Sequence, residues 1–238
     1  MLKTRFTEDL AIEAGIDEVG RGCLWGPLVA VALIWPPESE WTDDVKAIAQ
    51  QIKDSKKLTE KKRTALASAI KDYAIDFGVG VVEPREIDQL GMTLANQTAF
   101  ARAVQSLTVE PDRLLIDGIV PIPMTMWKKQ QHTIVDGDAN YIPIAAASIV
   151  GKDYRDTFVK AWATTHKEIA ERYDLSSNKG YGTAKHRQAI QQHGKHADHR
   201  TLFLRKILGE AVYARPLRSE PNQSVQQCQI QDEADIED

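Results

Sequence analysis

Cysteine is nearly absent. Only Cys23 and Cys228 occur in 238 residues, far apart. That excludes a disulfide scaffold and any all-cysteine zinc site, and it suits a reducing cytosol. No run of about 18 apolar residues is present, so nothing reads as a membrane span. The opening MLKTRFTEDLAIEAGIDE has no apolar core of the secretory kind, so no signal peptide is expected. A large excess of one charge is also lacking: the net charge is −4. What is present is ordinary globular composition, 42% hydrophobic and 27% charged, enough for a sizeable core in one or two domains. Collagen, coiled coil and wholesale disorder are excluded.

The small net charge hides an asymmetry. Residues 216–238 hold Arg218 against Glu220, Asp232, Glu233, Asp235, Glu237 and Asp238, a net −5 that leaves residues 1–215 at about +1. This Gln-rich acidic stretch reads as a disordered tail. A near-neutral body neither argues for nucleic-acid binding nor excludes a local patch.

Short β-branched runs bounded by Gly or Pro predict strands at residues 14–18, 27–36, 76–82, 113–117 and 132–135. Helical spacing predicts helices over 59–73, capped by Thr59, over 86–107, and over 142–166, started by Pro143. The order gives an α/β fold: a mixed sheet flanked by helices, with a small helical C-terminal region.

Acids stand at three strand ends. Asp17 and Glu18 close the first strand, Asp117 closes RLLID before Gly118, and Asp136 and Asp138 follow the fifth strand in VDGD. Ligand sites of α/β sheets gather at strand ends. Any single Asp-Gly is equally a turn. Converging, three or four carboxylates suit a hard dication, Mg²⁺ or Mn²⁺, and a pair of such ions is the usual clamp for displacement at phosphorus.

Gly20-Arg21-Gly22 lets backbone approach a phosphate or sugar, with Arg21 adding charge; a plain tight turn fits the string as well. Tyr181, set between glycines in KGYGT, suits stacking on a base or sugar, or packing on the core. Lys56 and Lys57 offer phosphate contacts, or a solvated helix start. His186, His193, His196 and His199 lie among Lys and Arg, so a basic substrate-facing surface is expected rather than zinc. Cys23 reads as a small buried residue rather than a nucleophile.

Five strings occur in one order: AGIDEVGRG (14–22) with GPLVAVA (26–32), DSKKLTEKKR (54–63), IDG (116–118), AAASIVGKDYRD (145–156) and NKGYGTAKH (178–186). In this the sequence resembles the bacterial ribonuclease HII family, the type 2 ribonucleases H, over nearly all of residues 14–203. The resemblance implies a ribonuclease H-like fold. It implies metal-dependent cleavage of the RNA strand of RNA–DNA hybrids, and cleavage 5′ to single ribonucleotides in duplex DNA, leaving 5′-phosphate and 3′-hydroxyl. Removal of RNA primers and misincorporated ribonucleotides would follow. The family's four acids fall on Asp17, Glu18, Asp117 and Asp138, with Asp136 a competitor for the fourth place. Two Mg²⁺ or Mn²⁺ ions are implied there. Gly20, Arg21 and Gly22 resemble the segment that reads the 2′-hydroxyl, and Tyr181 the tyrosine that packs at the RNA–DNA junction. Lys56, Lys57, and Lys152 with Arg155 are similar to residues near the substrate backbone or active site. Cys23, Trp25 and the GKDY at 151–154 depart from the family's usual residues.

The resulting expectation is a catalytic domain over 1–166, a helical substrate-binding region over 167–215, and the acidic tail over 216–238. The partners expected are RNA–DNA hybrids or duplex DNA containing ribonucleotides, with no membrane, for a cytoplasmic monomer. A junction resolvase or exonuclease on the same scaffold, a non-catalytic hybrid-binding module, and a phosphatase using Asp136-Gly137-Asp138 are the competing readings.

Overall fold

A computed structural model describes residues 2–52 and 58–209. The acidic tail, Cys228, Lys56 and Lys57 lie outside the described residues.

Five strands form one mixed sheet in the order β3-β2-β1-β4-β5: β1 Glu13–Val19, β2 Leu28–Ile34, β3 Asp76–Val82, β4 Arg113–Asp117 and β5 Gln130–Ile134. β2 runs antiparallel to both β1 and β3, while β1–β4 and β4–β5 are parallel. β2 reads LVAVALI and is buried throughout, because helices cover both faces of the sheet. Its side chains alternate between two cores. Leu28, Ala30, Ala32 and Ile34 face Ala99, Phe100 and Ala103 of helix α4, Met92–Gln105. Val31 and Leu33 face the other core, with Ala146, Ile149 and Val150 of helix α5, Ile142–Thr165. Leu66 and Ile70 of α2, Glu60–Tyr73, and Val45 and Ile48 of α1, Asp43–Ala49, complete that side.

Two helix ends follow the sequence closely. Thr59 caps α2 by accepting the N–H of Lys62, and Pro143 sits in the first turn of α5. The single helical stretch expected over 86–107 is instead two helices, α3 Pro84–Leu90 and α4. Gly91 ends the first with φ +75, a conformation that costs a glycine little, and the chain restarts at Met92.

The C-terminal part consists of α6 Lys167–Arg172, α7 Leu175–Asn178, α8 Ala184–His193 and α9 Thr201–Leu208. These helices have a core of their own: Tyr173, Leu175, Ile190 and Leu204 pack with Leu24 and Trp25 from the loop after β1 and with Val159 and Ala163 from the far half of α5. Helix α5 therefore belongs to both bodies. Asp88 of α3 fastens the outer end by accepting the N–H groups of Thr201 and Leu202 at the start of α9.

Candidate active site

The register of the parallel pair places the first two acids. Ile16 lies opposite Ile116, so Asp17 and Asp117 follow side by side where β1 and β4 end. Adjacent strands are about 4.8 Å apart, and neighbours in register point to the same face. That face is the one under α5, whose first turn presses on β1 at Gly15. A Cβ at Gly15 would stand 2.2 Å from the Pro143 carbonyl carbon, so only glycine admits the helix so close. Ser148, on the next turns of α5, hydrogen-bonds the Asp17 side chain. Glu18 points to the opposite face, where Asn96 of α4 hydrogen-bonds it and Arg21 reaches it at 3.4 Å.

The last acid comes from the link between β5 and α5. Asp136 takes a left-handed turn at φ 53, and a single 3₁₀ turn, Gly137–Ala139, carries Asp138. Asp117 holds this link by accepting the N–H of Gly137 at 2.7 Å. The two VDGD acids differ in place: Asp138 is half-buried and its charge reaches Asp17, whereas Asp136 is exposed.

Burial pushes the Asp17 carboxyl well above its usual range, and the charges of Asp117, Glu18 and Asp138 push it further, against the Ser148 hydrogen bond. Burial likewise raises Glu18; Asp117 adds to this, while Arg21 and Asn96 oppose it. These four carboxylates thus form one electrostatic unit drawn from three chain segments. Among the described residues, no three His, Cys, Asp or Glu side chains are gathered tightly enough to hold a metal as they stand. Like charges repel, and two of the acids lean on backbone instead, Asp17 on the N–H of Glu18 and Asp117 on that of Gly137. The donor set is all oxygen and partly desolvated, and it fits a hard dication rather than zinc.

A second wall is built from the loop after β1 and the KGYG loop. Cys23 and Tyr181 pair as an isolated antiparallel bridge, and Leu24 N–H donates to the Gly180 carbonyl at 2.8 Å. The Tyr181 hydroxyl hydrogen-bonds Cys23. Tyr181 is 37% exposed, and burial of the rest pushes its phenol up to about 12. The Lys152 ammonium stands 5.1 Å from the ring centroid and is held at 2.8 Å by Asp156. Cys23 is fully buried, as its small apolar character predicts.

Two arginines are inside the protein. Arg155, expected near the substrate backbone or active site, is fully buried and donates to backbone carbonyls. Arg200, read only as part of a basic stretch, is also fully buried and donates to the carbonyls of Gly20, Arg21 and Gly26. His186 and His199 are buried, not part of a basic face, with their Nε2 atoms 3.0 Å apart. His199 Nδ1 accepts the backbone N–H of His196, so its proton is on Nε2 and goes to His186 Nε2. His186 then carries its own proton on Nδ1, which it donates to the Tyr181 carbonyl at 2.9 Å. Both rings are neutral. Burial lowers His186, and burial with the charges of His186 and His196 lowers His199 to about 3.

A sequence model described as Ribonuclease HII matches residues 14–206. The Ribonuclease HII of Trichodesmium erythraeum is 44% identical over 192 residues, 81% of this chain and 86% of that protein. The ribonuclease H2 from Pyrococcus horikoshii OT3 superposes with a TM-score of 0.65 at 26% identity, covering 82% of this chain and 96% of that one. Bst-RNase HIII, solved in complex with Mn²⁺, shares the fold with a TM-score of 0.54 at 20% identity, over 76% and 61% of the two chains.

Proposed function

The chain belongs to the ribonuclease HII family, hydrolytic endonucleases that cut the RNA strand of RNA–DNA hybrids, and from that premise we propose that Asp17, Glu18, Asp117 and Asp138 are its catalytic, metal-holding residues. The observation that carries this is the side-by-side exit of Asp17 and Asp117 from β1 and β4, with the charges of Glu18 and Asp138 reaching the same buried carboxyl. The position and partial burial of Asp138 favour it over Asp136 for the fourth role.

Two Mg²⁺ or Mn²⁺ ions at these oxygens would supply water activation and neutralisation of the scissile phosphate. The chain's own residues do the rest. Ser148 orients Asp17, Asn96 and Arg21 orient Glu18, and the Gly137 amide orients Asp117. The backbone of Gly20 to Gly22 reads the 2′-hydroxyl, the atom that separates RNA from DNA. The exposed part of Tyr181 packs on the sugar that follows, and Lys152 adds salt-sensitive attraction for phosphate beside it. Lys56 and Lys57 are assigned the same phosphate role from the sequence.

The division of labour is a catalytic domain over 1–166 and a substrate-binding helical region over 167–215, whose described helices pack around a cluster shared with Leu24, Trp25 and the far half of α5. Among the described residues no helix is long and apolar enough to cross a membrane. We assign the protein to the cytoplasm as a monomer acting on hybrids and on duplex DNA containing ribonucleotides. The test is a duplex carrying one ribonucleotide, incubated with and without Mg²⁺ or Mn²⁺. A metal-dependent cut 5′ to the ribonucleotide, leaving 3′-hydroxyl and 5′-phosphate, is expected. Equal cutting of all-DNA duplex would overturn the reading.

A further inference from the structure

Arg155 spends its guanidinium on two loops at once. Nε donates to the Pro27 carbonyl at 3.1 Å and Nη2 to that of Trp25 at 3.0 Å, both in the loop after β1. Nη1 donates to the Lys179 carbonyl at 2.8 Å, in the KGYG loop. Both loops close around the side chain. A Cβ on Gly20 would stand 2.2 Å from its Nε, and one on Gly180 would stand 3.2 Å from Nη2. The Tyr181 ring centroid lies 5.7 Å from its Cζ. None of the described ion pairs involves it, so its hydrogen bonds go to backbone carbonyls alone.

We propose that Arg155 is a positioning residue that fixes the spacing between the Gly20–Gly22 turn and Tyr181, and so sets the enzyme's preference for a ribonucleotide followed by deoxyribose over continuous RNA. The proposal rests on the reading of those two elements given above. A planar fork with donors in fixed directions is suited to such a task; a lysine ammonium on a flexible stem is not. The helix adds a longer link. Ser148 and Arg155 are seven residues apart, two turns on one face of α5 and about 10 Å along its axis. One rigid element therefore orients Asp17 at one point and the two reading loops at the next. Arg200 braces the first loop from the other side through the carbonyls of Gly20, Arg21 and Gly26, while the His199–His186 pair holds the Tyr181 carbonyl. Arg155 alone among these donates to both loops.

The test compares kcat/KM on two substrates, a duplex with one embedded ribonucleotide and a continuous RNA–DNA hybrid, for Arg155→Met, Arg155→Lys, Tyr181→Ala and the double variant Arg155→Met with Tyr181→Ala. Hydrogen bonds from a charged donor are worth enough that Arg155→Met should lose roughly 10- to 100-fold more on the single-ribonucleotide duplex than on the hybrid, chiefly through KM. Arg155→Lys retains the charge and should stay folded, yet recover hybrid cleavage better than the preference. The double variant should be little worse in preference than Tyr181→Ala, because both changes remove the same placement. If Tyr181→Ala shifts the preference while folded Arg155→Met and Arg155→Lys keep the native ratio, the positioning role is overturned alone. If Tyr181→Ala leaves the ratio intact, the reading of Tyr181 falls and the proposal with it.

Discussion

The molecule buries charge in two neighbouring places and treats it in opposite ways. At the ends of β1 and β4, carboxylates raise one another, with Arg21 the opposing cation on Glu18 among the described residues, and Asp17 and Glu18 are harder to ionise than usual. In the loop wall beside them, Arg155 and Arg200 are buried just as deeply but donate to six backbone carbonyls, and the two buried histidines are neutral. The Nη2 amino group of Arg200 has no partner among the described residues, and burial lowers that guanidinium to about 10. The contrast separates charge kept for a ligand from charge used as architecture. The first is mutual repulsion among carboxylates, which a bound cation should relieve. The second is spent on backbone carbonyls and should be indifferent to cations.

Removing a carboxylate from the first region should have the largest effect on activity. Asp117→Asn is expected to fold and bind hybrid yet lose about a thousandfold or more in Mg²⁺-dependent cleavage, since each metal-holding group is asked for several kcal/mol of transition-state stabilisation. Undiminished cleavage would break the contrast at its functional end.

Stability should move in opposite directions in the two regions. Arg200→Met strands the carbonyls of Gly20, Arg21 and Gly26 inside the protein and should cost about 2–4 kcal/mol in denaturant unfolding. Asp17→Asn should instead raise the metal-free Tm at pH 7 by about 2–4 °C, the shift expected for about 1 kcal/mol in a chain of this size. The sign follows from linkage. A carboxyl raised on folding contributes stability below its unfolded value of 3.8, and that stability is lost as pH rises through the folded value. At neutral pH the ionised group is a cost, which the amide removes. A lower Tm for Asp17→Asn would place Asp17 with the architectural charges.

The smallest effect is a slope. A histidine lowered on folding gives stability that is complete above the unfolded value of 6.5 and declines as pH falls toward the folded one, about 3 for His199. His199→Gln should therefore flatten the fall in stability between about pH 6.5 and pH 4, measured as a difference from the parent so that the carboxylates cancel. An unchanged slope would mean that the ring is not held neutral.

How far these regions could be read from sequence follows the same divide. The acids were legible because strand signals are local: IDE and RLLID end apolar runs, and loops leave a sheet at strand ends. Their meeting was not legible from one sequence, because it depends on the β1–β4 register. Helix α1 gave no reading of its own, and the break at Gly91 hid inside a continuous helical pattern. The burial of Arg200, His186 and His199 is not legible in the sequence for a physical reason. A basic residue normally faces water, and carbonyls that hold one inside can be remote in sequence: those of Gly20, Arg21 and Gly26 on Arg200, and of Pro27 and Trp25, 128 and 130 residues earlier, on Arg155.

The most direct test of the central claim is titration of Mn²⁺ into the intact protein and into Asp117→Asn, followed calorimetrically in the absence of substrate. The account predicts saturable Mn²⁺ binding with a matching rise in Tm for the parent, and a clear loss of both in the variant. Equal Mn²⁺ affinity in the two proteins would contradict it.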